Sequence, residues 1–301
     1  MSSLHRVILD TDIGSDVDDL LALALILGTP SIDLIGVTTV YGDTLLRARI
    51  AKRAARLAGR DIPVIAGESQ PLSGRDVWWA GHEGALYDEL ESETIDGQDA
   101  VAYLVETVLA DPGSIDLIAI GPLTNIAAAI RRDSRFASAV RHLWIMGGAF
   151  TTDEPEHNFR SDTTAAEVVF GSGIPTTVSG LEVTRQVTID RDSLARIAGS
   201  GNLGALIDAE VRQWWEFWST EWNVPHDPVT VLTMTDPDLF RFSGPGAVSI
   251  HGEAEDAGVS RFAPGSGSVR IAEQLDADGV ADKIVLGIVA ASPLARRGAG
   301  E

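Results

Sequence analysis

The 301-residue chain contains no cysteine, and only two of its 23 basic residues, Lys52 and Lys283, are lysines. The first absence excludes a disulfide, a thiolate metal site and a cysteine nucleophile, and it fits a reducing, cytoplasmic compartment. The second leaves few candidates for any reaction that needs a catalytic lysine. No segment approaches about 18 uninterrupted apolar residues, so no membrane span is expected. The N-terminal stretch MSSLHRVILDTD lacks the apolar core and small-residue cleavage site of a signal peptide. Positive charge is scarce too, with 44 acidic residues against 23 basic ones and a formal charge of −21. That balance disfavours a nucleic-acid backbone or an anionic membrane as partner, and is compatible with cations and small neutral ligands. Solubility or adaptation to salt accounts for most of the surface charge.

At 45% apolar and 22% charged, the composition is that of a folded chain. Short apolar runs predict strands over 5–10, 32–40, 62–66, 115–120, 142–146 and 175–181. Helical patterns lie between them near 18–28, 44–58, 98–110, 123–132, 163–171 and 203–222. Further strands are expected over 247–251 and 269–275, with a closing helix over 278–291 and a surface loop over 263–269. Apolar strands separated by helices read as βαβ units of a parallel sheet. No linker or repeat divides the chain, so residues 1–301 are expected to form a single α/β domain, an open and mostly parallel sheet flanked by helices. Ligands of such sheets bind beyond the carboxyl ends of the strands. There the sequence places Asp10 and Asp12, Tyr41-Gly42-Asp43, Gly121-Pro122-Leu123-Thr124-Asn125 and Met146-Gly147-Gly148.

Residues 10–19, DTDIGSDVDD, carry five aspartates at a strand-to-helix passage. A helix N-terminus accounts for one or two of them as caps. Five repel one another unless a cation or shared protons compensate, and oxygen-only ligands suit a hard ion such as Ca²⁺ or Mg²⁺. An EF-hand loop fails, because Ser15 stands where its glycine is required and Leu21 where its closing glutamate is. A phosphotransferase of the haloacid dehalogenase type also opens with Asp-x-Asp, but Gly14 departs from its pattern and no suitable lysine motif follows.

The combination resembles the nucleoside hydrolase family, with its Rossmann-like sheet. The opening Asp10-Thr11-Asp12-Ile13-Gly14 with Asp18-Asp19 resembles the family's first motif. Gly36 to Asp43, Ala80-Gly81-His82-Glu83-Gly84, Gly121 to Ala127, Ile145-Met146-Gly147-Gly148, Glu156-His157-Asn158 and His226-Asp227-Pro228 follow in the family's order. The resemblance implies one Ca²⁺ per subunit, held by Asp12, Asp19, the main-chain oxygen of Thr124 and Asp227. It implies that Asp18, Glu156 and Asn158 grip the ribose, with Asp43, His82 and Met146 also at the substrate. The expected reaction is hydrolysis of the N-glycosidic bond of a free nucleoside. Breaking that bond builds an oxocarbenium-like charge on the sugar, which carboxylates stabilise. Asp12 would act as general base toward water and His226 as acid toward the leaving base.

The helix near 203–222 carries Trp214, Trp215 and Trp218, and Trp215 or Trp218 is expected to line the base pocket by stacking. Trp78 and Trp79 fit a lid or a subunit contact. The opening motif is two residues longer than the family's shortest form, which leaves Asp16 without a counterpart. The stretch 149–155 is short and lacks the family's Gly-Asn contact to the 5′-hydroxyl, so a modified ribosyl substrate is an alternative. A non-catalytic nucleoside- or ribose-binding protein is another. The family suggests a homodimer or homotetramer.

Overall fold

β1 (His5–Thr11) sends Val7 and Leu9 into one apolar cluster and Ile8 into another. This is the period-two alternation of a strand with a core on each face. β2 (Ile32–Thr39) and β3 (Val64–Ala66) follow. β4 (Ile115–Ala119) and β5 (His142–Met146) repeat the alternation, with Ile118, Trp144 and Met146 on one side and Leu117, Leu143 and Ile145 on the other. β6 (Thr176–Ser179), β7 (Phe240–Phe242), β8 (Gly246–Ile250), β9 (Ser260–Pro264) and β10 (Val269–Leu275) complete the sheet. The computed structural model describes residues 4–252 and 254–293; the ends of the expected domain, 1–3 and 294–301, lie outside the described residues.

The ten strands run in the order β3-β2-β1-β4-β5-β6-β10-β8-β9, with β7 pairing β10. From β3 to β10 all neighbours are parallel, while β7, β8 and β9 pair antiparallel. Helices Asp18–Gly28, Thr44–Leu57, Asn202–Trp218, His226–Thr235 and Ala277–Ala290 cover one face. Helices Ala100–Ala110, Thr124–Arg132 and Thr163–Phe170 cover the other. This is the open, mostly parallel α/β architecture expected from the sequence. Among the described residues, no helix is long and apolar enough to cross a membrane.

The differences are local. Pro63 offers no N–H to the ladder, and β3 starts only at Val64. The helix expected to reach 222 stops at Trp218, where Ser219 turns left-handed at φ 54°. β7 and β9 went unrecognised, being short edge pieces interrupted by Arg241 and Arg261. The helix His226–Thr235 was also missed, because its Thr- and Val-rich run carries little helical signal.

The topology positions the site. The chain leaves β1 outward to β2 and β3, then returns to the other side of β1 as β4. Connections leave β1 and β4 in opposite directions, which opens a crevice beyond their carboxyl ends. Asp12 follows one of these strands and Gly121 the other.

Candidate active site

Asp10, at the end of β1, is 1% exposed and accepts hydrogen bonds from Thr38 Oγ1 at 2.6 Å and Asn125 Nδ2 at 2.7 Å. Burial pushes its carboxyl up to about 7 against those two donors. It ties β1 to β2 and to the helix after β4, and so fixes the start of the aspartate turn. Gly14 bends the turn at φ +115°, where a Cβ would also lie 2.8 Å from Ile50. Across the crevice Gly121 leaves room for Asp12, since a Cβ there would meet Asp12 Oδ1 at 2.7 Å. Arg47 reaches under the turn and donates to the carbonyls of Asp12 and Ile13.

Three helix N-termini converge here. Asp18 and Asp19 occupy the first turn of helix Asp18–Gly28, and Asp227 the first turn of helix His226–Thr235. Glu156 caps the short helix His157–Ser161 and accepts N–H bonds from Gly148, Asn158 and Phe159 at 2.8–3.0 Å. Unpaired N–H groups of first turns carry partial positive charge, which offsets part of the repulsion. It does not remove it. Burial first, and then the negative charge of neighbouring aspartates, Asp12 and Asp16 among them, hold Asp18, Asp19 and Asp227 well above the usual carboxylate range. Asp12 is raised by burial against the opposing charge of Arg47, and burial lifts Asp16 to about 7. Carboxylate oxygens of Asp18, Asp19 and Asp227 lie within 4.8 Å of one another. Such an all-oxygen cluster could bind a metal ion, and a hard one by donor type.

The cluster floors a cavity of about 440 Å³. Of the residues expected from the sequence, Asp12, Asp18, Asp19, Met146, Glu156, Asn158, Trp218, His226 and Asp227 all line it. Asn158 Nδ2 donates to the carbonyls of Ile120 at 2.8 Å and Met146 at 3.3 Å. Four expected residues do not line the cavity. Asp43 caps helix Thr44–Leu57 by accepting from Leu46 N at 2.9 Å, and points to solvent. The Thr124 hydroxyl donates to Asp162 at 2.7 Å, and the cavity-facing residue of that loop is Ile120. Trp215 is 5% exposed in the core, because on a helix it points about 100° away from its neighbour Trp214. Trp214 and Trp218, four residues apart on one face, are the two that reach the cavity. His82 sits at the rim, its Nε2 2.9 Å from the Ser15 carbonyl and its ring against Trp214 and Phe217.

The wall also contains residues outside the site set expected from the sequence. Glu154 and Arg185 form a two-pronged ion pair at 2.6 and 2.7 Å, while Ser15, Asp16, Trp78, His157 and Arg160 complete the mouth. Of these only Trp78 and Asp16 carried a signal, as an aromatic near the His82 loop and as a surplus aspartate. Among the pocket's ionisable groups, Asp12, Asp16, Asp18, Asp19, Glu154, Glu156 and Asp227 outweigh Arg160 and Arg185. Such an acidic wall would favour a cation or a ligand that develops positive charge.

Residues 7–282 match the family model described as inosine-uridine preferring nucleoside hydrolase. Uridine nucleosidase 1 of Arabidopsis thaliana is 33% identical over 257 residues, 79% of this chain and 76% of that protein. The pyrimidine-specific ribonucleoside hydrolase RihB of Escherichia coli O9:H4 (strain HS) is 29% identical over 251 residues, 78% of this chain and 79% of that protein. A solved plant nucleoside hydrolase, the PpNRh1 enzyme, superposes with a TM-score of 0.85 at 29% identity, covering 95% of this chain and 99% of that one. Fold, acidic crevice and these relatives agree: the chain belongs to the nucleoside hydrolase family, enzymes that hydrolyse the N-glycosidic bond of ribonucleosides.

Proposed function

We propose that the protein is a Ca²⁺-dependent ribonucleoside hydrolase with uridine or another pyrimidine ribonucleoside as its first substrate. The carrying observation is the meeting of Asp18, Asp19 and Asp227 within 4.8 Å beside Asp12 in one cavity. Asp12, Asp19 and Asp227 would hold the ion. A main-chain oxygen, that of Thr124 or of the cavity-lining Ile120, would join them. Oxygen donors of mixed carboxylate and carbonyl type suit Ca²⁺, which tolerates irregular coordination. An ion held there would lower the pKa of a water beside Asp12.

Asp12 takes a proton from the attacking water, and attack opposite the base inverts the anomeric carbon. Asp18 and Asn158 hold ribose hydroxyls, and Asp16 lies close enough on the same wall to share that task. Glu156, already accepting three main-chain N–H bonds, keeps Asn158 and Gly148 in place and adds negative charge near the sugar. Trp214 and Trp218 flank the base, and His226 donates a hydrogen bond to it as it leaves. The names of the Arabidopsis and E. coli relatives support the pyrimidine preference. The short stretch 149–155, which carries Glu154 to the cavity wall, supports a second reading, in which a ribosyl substrate modified at its 5′ end is accepted as well.

One continuous sheet supports a single domain over the chain. Exposed Phe217, Trp218 and Trp222 on and after helix Asn202–Trp218 support a homo-oligomer, and the lack of cysteine a cytoplasmic location. Asp12→Asn tests the assigned base. Turnover of uridine is expected to fall about 10²–10⁴-fold, the usual worth of a general base. Wild-type turnover in that variant would refute the assignment.

A further inference from the structure

Arg47 heads the largest fully buried side chains, at 1% exposure. Its donors go to oxygens of two turns. Nε donates to the Tyr41 carbonyl at 2.7 Å, Nη1 to the carbonyls of Asp12 and Ile13, and Nη2 to Ser15 Oγ at 3.2 Å. Trp79 lies over the guanidinium, 4.9 Å from ring centroid to carbon, and closes it from solvent. Burying a cation is costly unless its surroundings use it. A turn lengthened by two residues has more carbonyls in need of donors. A guanidinium fork can serve several separated acceptors at once, whereas an ammonium is a point charge that cannot reproduce the fork.

We propose that Arg47 is a positioning residue of this active site. It clamps the main chain of Asp12 and Ile13, so that the Asp12 carboxylate enters the cavity in one orientation. The clamp extends to the mouth, since the Ser15 hydroxyl donates to Glu83 Oε1 at 2.8 Å. This role rests on Asp12 acting as base and metal ligand, and it adds a residue outside the cavity to the machinery.

The test compares wild type with Arg47→Lys and Arg47→Gln in the calcium-loaded protein, reading kcat and KM for uridine, calcium affinity by calorimetry, and melting temperature. At saturating calcium, kcat is expected to fall at least about tenfold in Arg47→Lys and about 100-fold in Arg47→Gln, while KM stays within about threefold. Calcium affinity is expected to weaken in both. Should Arg47→Gln fail to fold, Arg47→Lys, which keeps the buried charge, decides. A lowered melting temperature with wild-type kcat marks a merely structural residue and overturns the proposal. If wild type itself releases no ribose, the reaction proposed above fails, and calcium affinity then decides alone: unchanged in Arg47→Lys, it overturns the clamp.

Discussion

The hydroxyl of Thr184 lies 2.7 Å from Nδ1 of His226, on the wall that also carries Asp227. With the hydroxyl donating, the imidazole holds its own proton on Nε2. Burial, and then the charge of Arg185, depress its pKa to about 4, so it is neutral at pH 7. In the proposed reaction, and with the proton on Nε2, His226 would serve as a neutral N–H donor to the leaving base. His226→Ala is expected to lower kcat about 10²-fold, at the low end for acid–base groups. Because the ring is deprotonated well below pH 6, kcat of the wild type should not fall between pH 6 and 8. A pH–rate profile that declines with an apparent pKa near 6.5 would show an imidazolium acid instead.

If the aspartates hold calcium as proposed, calcium binding and pH are linked through them. In the metal-free protein Asp18, Asp19 and Asp227 bind protons more tightly than in the unfolded chain. Between the ordinary carboxylate pKa of about 4 and their raised values, the folded state carries more protons, so metal-free stability falls as pH rises. A bound cation favours the ionised form and opposes that loss. The calcium-induced gain in melting temperature should thus be larger at pH 7.5 than at pH 5. Calorimetric scans with calcium and with chelator at both values check this. An equal gain at the two pH values would disconnect the ion from these carboxylates.

The tryptophans of helix Asn202–Trp218 divide by face. Trp214 and Trp218 line the cavity, whereas Trp215 is buried in the core. Loss of one stacking partner costs about 1–3 kcal/mol, so Trp214→Ala and Trp218→Ala should raise KM for uridine with little change in melting temperature. Trp215→Ala should do the reverse, losing about 3–5 kcal/mol of stability. Steady-state kinetics beside thermal melts separate the two classes.

Glu154 and Arg185 satisfy each other across the cavity wall, so neither needs a substrate hydroxyl. A site that leaves no polar group unpaired discriminates weakly against a missing hydroxyl. Accordingly, 5′-deoxyuridine should be turned over with a kcat/KM within about tenfold of uridine. A loss approaching 10⁴-fold would mean that the 5′-hydroxyl is tightly held.

Sequence pattern disclosed the parallel core because β1, β4 and β5 alternate between two apolar clusters. It disclosed most of the cavity because carboxylates crowd where strands end, and crowding like charge needs a reason. It named Asp43 because a loop motif names a neighbourhood, while capping of Leu46 N decides which way that side chain points. Of Trp215 and Trp218, the two offered for the base pocket, Trp218 reaches the cavity and Trp215 turns into the core. Arg47 was overlooked, although it falls in the stripe Thr44, Arg47, Ala48, Ala51, Ala54 and Ala55 that helix Thr44–Leu57 buries. A charged residue in the apolar phase of a helix was the available signal. The Glu154–Arg185 pair spans 31 positions, and nothing local in either residue announces it.

The most direct test of the central claim is release of ribose from uridine, followed as reducing sugar, with calcium and after removal of calcium by a chelator. Release that requires calcium, and returns when calcium is added back, is the expected result. Release undiminished by the chelator, or none from uridine, cytidine, inosine or adenosine while calcium is bound, would contradict it.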